Sequence, residues 1–151
     1  MNKLTSKLWQ TKNKKALKNT HLKTILSSFD KTELKEFEKF VLSPYFNNRN
    51  EVTRFFKAVK KYHPDFDSNL SEENLFNTVY PGKKYNGVMM RKLYSLLINL
   101  LLDFIAVKGF KEDTPEYNIK MAYMLRERKL PAVFEKRSKI IDNLLEKSKR
   151  D

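Results

Sequence analysis

The chain has 151 residues, three glycines, no cysteine and a formal net charge of +13, with 40% hydrophobic and 13% aromatic content. That length suits one domain able to bury roughly two-thirds of the surface its unfolded chain exposes, and the supply of Phe and Leu excludes wholesale disorder. Without cysteine there is no disulfide, no thiolate metal site and no Cys nucleophile, and so few glycines disfavour folds built on tight β-turns.

The charge is unevenly spread. Between Met1 and Phe29 there are seven lysines and no acidic residue, so this stretch supplies +7 of the +13. A cationic start of this kind points to an anionic or negatively patched partner. It lacks the unbroken apolar run of a secretory signal, and the arginines of a mitochondrial leader are missing, the first being Arg49. The most apolar stretch, Leu93–Val107, contains Ser95, Asn99 and Asp103 and falls short of the roughly 20 apolar residues a membrane span needs. A soluble, cytoplasmic protein is expected.

Apolar residues then recur at helical spacing almost throughout, and no segment alternates as a strand would. After a polar leader over 1–15, a first helix is predicted from Ala16 to Ser27, with Leu22, Ile25, Leu26 and Phe29 along one side. Asp30 reads as an N-cap completed by Glu33, with Phe29 stapled against Leu34. The helix it opens aligns Leu34, Phe37, Phe40 and Val41 and stops at Ser43-Pro44. Asn50 is expected to cap the next helix, whose Val52, Phe55, Phe56, Val59 and Tyr62 face inward until His63-Pro64. Ser71 opens a short helix ended by Tyr80-Pro81-Gly82, with Leu70 stapled against Leu75.

From Asn86 to Lys108 runs the strongest core candidate. Arg91, Ser95, Asn99 and Asp103 form one polar stripe, nearly everything beside it from Leu93 onward is apolar, and Gly109 is the expected C′ residue. Thr114-Pro115 starts another helix, with one apolar stripe of Tyr117, Met121, Met124 and Leu125 and a second of Ile119, Ala122 and Tyr123. Two apolar sides predict a helix wedged between neighbours. After Lys129-Leu130-Pro131, a last helix repeats Val133, Phe134, Ile140, Ile141, Leu144 and Leu145.

The fold expected is therefore all-α: about seven helices, in which 16–109 make a bundle core and 114–151 an antiparallel hairpin packed on it, a single domain overall.

Several chemical motifs fail on inspection. Asp65, Asp67 and Asn69 resemble the opening of a calcium loop, but Leu70 and Phe76 stand where Gly and Glu are needed. Gly82 and Gly87 have phosphate-loop spacing, but Val88-Met89 replaces Lys-Ser/Thr. His21 and His63 lie apart with no carboxylate companion nearby in sequence, and Glu33, Glu36 and Glu38 suit a first helical turn or a wet face. No nucleophile–base pair is readable, so neither catalysis nor a cofactor is expected. The corner Leu42-Ser43-Pro44-Tyr45-Phe46-Asn47 is expected to plug the core with Tyr45 and Phe46, while Asn47 or Asn48 takes up unusual dihedrals.

The run Leu34-Lys35-Glu36-Phe37-Glu38-Lys39-Phe40-Val41-Leu42-Ser43-Pro44-Tyr45-Phe46-Asn47 resembles the N-terminal region of uncharacterised bacterial all-helical proteins, where an ELKxFxKFxxSPYFN stretch opens a longer helical chain. The likeness covers residues 22–108 and brings no activity with it. It implies a short member of that group, or its opening part, with the final hairpin beginning a tetratricopeptide-like array.

The function expected is a non-catalytic helical scaffold that binds another protein through the hairpin, with Tyr117, Tyr123, Arg126 and Arg128 as contacts and Trp9 and the leader lysines steering association. Self-association through the hairpin is compatible with this. The alternative is a nucleic-acid binder indifferent to sequence, using Lys12, Lys14, Lys15, Lys18, Arg54, Lys57 and Lys61. A membrane surface is the least favoured partner, because the leader's apolar patch is small.

Overall fold

The computed structural model describes residues 20–66, 70–111 and 115–149, which form seven α-helices and no strand. In chain order these are α1 (Thr20–Ser28), α2 (Lys31–Leu42), α3 (Asn50–Lys60), α4 (Glu72–Val79), α5 (Gly87–Lys111), α6 (Pro115–Glu127) and α7 (Pro131–Ser148). The chain divides into two compact units, Met1–Phe104 and Ile105–Asp151, so the boundary falls inside α5 and not in the loop that follows it.

The first unit is organised around aromatic rings. Phe37 of α2 is fully buried, with ring centroids of Phe29, Phe56 and Phe104 at 6.0, 5.0 and 5.4 Å. Phe104 of α5 also meets Phe29 at 5.6 Å and Phe40 at 5.6 Å. One ring cluster thus joins α2, α3, α5 and the residue that ends α1. Edge-to-face and tilted pairs like these add about 0.5–1.5 kcal/mol each beyond the area they bury.

Local chemistry aims these helices. Asp30 Oδ1 accepts the Thr32 and Glu33 N–H groups at 2.7 and 2.8 Å, and Glu33 Oε2 accepts the Asp30 N–H at 3.4 Å, which is the expected capping box. His63 Nε2 donates to the Phe29 carbonyl at 2.8 Å and Ser27 Oγ to the Pro64 carbonyl at 2.9 Å, tying the end of α1 to the turn after α3. Ser71 caps α4, and Asn86 Oδ1 accepts the Val88 and Met89 N–H groups at 2.9 and 3.1 Å to start α5. Between these two helices, Lys83 N–H donates to the Tyr80 carbonyl across Pro81-Gly82, with Gly82 at φ +77°, the left-handed position a type II turn demands of its third residue.

Four expectations change. The N-cap of α3 is Arg49 and Asn50 is already helical, because Asn47 sets the approach: its amide donates to the Val41 carbonyl and Thr53 Oγ1, and its Oδ1 accepts the Arg49 N–H. Neither Asn47 nor Asn48 has positive φ; hydrogen bonding, not an unusual backbone, turns this corner. Tyr45 does not plug the core. It is 89% exposed, while Phe46 stacks on the outer side of Phe40 at 3.9 Å and stays partly open to solvent. Finally, α5 runs through Gly109 to Lys111, since Gly109 keeps negative φ and a glycine ends a helix only by turning left-handed.

By length and composition α5 is able to cross a membrane, with a mean hydropathy of 1.7, beyond what the 93–107 run alone suggests. Burial accounts for about a third of that apolar stretch (33%): seven residues of α5, Leu93, Leu97 and Leu101 among them, are buried. The polar stripe Arg91, Ser95, Asn99 and Asp103 is exposed, and Leu102, Ile105 and Phe110 are also about half exposed.

Glu72 at the start of α4 accepts two phenols, Tyr94 Oη at 2.8 Å and Tyr85 Oη at 3.0 Å. Burial, then the Glu72 hydrogen bond and charge, push the Tyr94 phenol far above its ordinary value of 10.0. Below pH 10 both folded and unfolded chains keep this proton, so its contribution to stability is complete. Above it only the unfolded phenol ionises, and stability falls by up to about 1.4 kcal/mol per pH unit. Urea titrations between pH 8 and 11 are expected to show this loss, and Tyr94→Phe, which removes the titrating group, is expected to flatten it.

Candidate functional site: the hairpin of α6 and α7

The second unit contains α6 and α7, packed against each other. The turn between them follows from Leu125–Pro131. Leu130 N–H donates to the Leu125 carbonyl and Lys129 N–H to the Arg126 carbonyl, with Lys129 left-handed at φ 56°. This is a Schellman ending with lysine where glycine is usual, and Pro131 then opens α7 at the first helical position.

Among the described residues of the hairpin, Asn118 and Ala122 are the two that are buried. Asn118 has no exposed surface, and its Oδ1 accepts Arg137 Nη1 at 3.2 Å across the two helices. A polar pair at the middle of an apolar contact fixes register, because sliding either helix would strand a buried amide.

Two apolar stripes predict a helix covered on both sides, and within the second unit α7 lies against one of them. Ile119 and Tyr123 are 49% and 50% exposed, since within this unit α7 covers only one side of α6. Between the helices lies an open pocket of about 280 Å³ lined by Ile119, Ala122, Tyr123, Arg126, Phe134, Ser138, Ile141 and Asp142. Lys120 Nζ sits 5.3 Å from the centre of the Tyr123 ring, a cation–π contact that holds the phenol in place at the pocket's edge. Among the described side chains of α7 none is fully buried, and Val133, Ile140 and Leu145 are 38–52% exposed.

Of the residues expected to contact a partner, Tyr123 and Arg126 come together in this pocket. Tyr117 does not line it; it is half-buried and engaged in contacts of its own. Arg128 Nη1 donates to the Met124 carbonyl at 3.2 Å and closes the end of α6. Trp9, Lys12, Lys14, Lys15 and Lys18 lie outside the described residues. In the first unit Arg54, Lys57 and Lys61 are exposed on one side of α3 and its end, whereas neighbouring Lys60 is tied to Glu38 at 2.6 Å. A smaller pocket of about 140 Å³ lies beside the 46–49 corner, with Asn47, Arg49, Leu100 and Asp103 in its lining.

Sequence reasoning missed Asn118 and Asp142. Each reads as an ordinary polar residue beside an apolar stripe, and only the α6–α7 contact gives it a role. Among the described residues no group of three His, Asp or Glu side chains is placed to hold a metal ion. No family model matches the chain, and no curated protein or solved structure is found to be similar to it.

Replacing Asn118 with Ala is expected to cost about 1 kcal/mol, at the low end for a broken buried pair because half-exposed Arg137 can turn to water. Hydrogen exchange should quicken in 115–149 and remain unchanged in α2 and α3.

Proposed function

We propose that this chain is a non-catalytic helical interaction protein whose α6–α7 hairpin seats another protein. The observation that carries the reading is the pocket edge: half-exposed Ile119 and Tyr123 stand over an apolar floor that α7 leaves open. A two-helix unit cannot bury both of its sides, and hairpins of this kind complete their cores against a neighbour. Arg126 and Tyr123 are residue types that anchor interfaces, and an aromatic ring with few rotatable bonds loses little entropy on docking. A photo-crosslinking residue at position 123 is expected to give a discrete protein adduct in cell extract that Ile119→Asp removes, while the same probe at Lys35 on α2 gives none. Identical adducts from both positions, or none from either, would exclude the hairpin as the binding surface.

A second reading is favoured by Arg54, Lys57 and Lys61, three exposed cations on one side of α3. With Lys12, Lys14, Lys15 and Lys18 they are numerous enough to grip a nucleic-acid backbone without reading bases. Six or more phosphate contacts would lower affinity about 10³-fold between roughly 50 and 200 mM salt. Titration with labelled duplex and single strands at both salts measures this, and weak binding without a salt slope dismisses it.

A further inference from the structure

We infer that the protein seated on the hairpin is a second copy of this chain, joined in a two-fold contact that pairs Arg126 of each copy with Asp142 of the other. This rests on the hairpin being an interaction surface and adds the identity of its partner.

Arg126 on α6 and Asp142 on α7 line the same pocket, one from each helix. Both are exposed, and neither lies within ion-pair distance of an opposite charge among the described residues. Between them is an apolar floor that includes Ala122, Phe134 and Ile141. A two-fold interface brings one patch against itself, so a group at one position meets the group at the other twice over. A patch of single sign would repel its own copy. One cation and one anion on the two sides of an apolar centre instead satisfy each other when the patch is rotated onto itself. The lining therefore carries no net charge, although the whole chain carries +13. That excess charge opposes pairing, but at physiological salt it is screened beyond about 8 Å, whereas contacts inside a closing apolar pocket are screened far less.

The test uses the full chain in sedimentation velocity over a wide concentration range. The wild type is expected to self-associate, and Ile119→Asp to leave a folded monomer with an unchanged helical spectrum. R126D and D142R are each expected to weaken association about tenfold or more, by placing like charges together twice. The double variant R126D/D142R should associate again, and an equimolar mixture of the two single variants should form a mixed pair, because each then supplies the charge the other needs. A wild type that is monomeric throughout overturns the inference. If the position-123 crosslink to a different protein persists in that case, the interaction reading stands and only the second copy fails; if that adduct is missing too, both fail. Association that ignores the charge exchanges, or survives Ile119→Asp, places the contact elsewhere and also overturns it.

Discussion

The contact between Phe37 and Phe104 is the constraint on which the first unit depends. These rings are 67 residues apart in sequence and their centroids lie 5.4 Å apart. Around them Phe29, Phe40 and Phe56 close the cluster, so four segments meet at one point. Burying a phenylalanine side chain contributes about 1.5–3 kcal/mol, a large share of the margin by which a domain is stable. Caps and turns act upstream of this contact: Asp30 starts α2 and His63 holds the end of α1, which together set where Phe29 and Phe37 fall.

The hairpin works differently. Among its described residues two are buried, one of them polar, and several apolar ones are half exposed. The Schellman turn and the Asn118–Arg137 amide–guanidinium pair help to hold it, in place of a large sealed core. Low local burial is the condition that leaves an element free to complete itself against a partner. The first unit buries most of its large aromatic side chains, whereas the hairpin leaves several apolar residues about half exposed.

Much of the fold was legible because helices announce themselves by period and by caps. Asp30 with Glu33, Ser71, Asn86 and Pro131 mark helix starts through backbone N–H groups that need an acceptor or do without one. The apolar spacing of α2 named all four of its buried residues. Where reading failed, a non-local hydrogen bond or an absent neighbour decided the outcome. Asn47 bonds six residues away in both directions and takes the capping task from Asn50. Tyr45 and Phe46 look too apolar to expose, yet Phe40 offers only an outer face on which Phe46 can stack.

The candidate site shows the same division. Tyr123 and Arg126 were visible from composition alone, as an aromatic and a cation three apart on one helix. Asp142 was not, since nothing in its own segment relates it to Arg126. By itself the sequence determined the helices, the caps at Asp30 and Ser71, the core side of α2 and the excess of positive charge, because each depends on neighbours within one or two turns. Which apolar residues stay wet, which amide is buried and which opposite charges share a pocket were decided only when distant segments met. Burial and pairing are properties of a surface, and a linear chain has none until it folds.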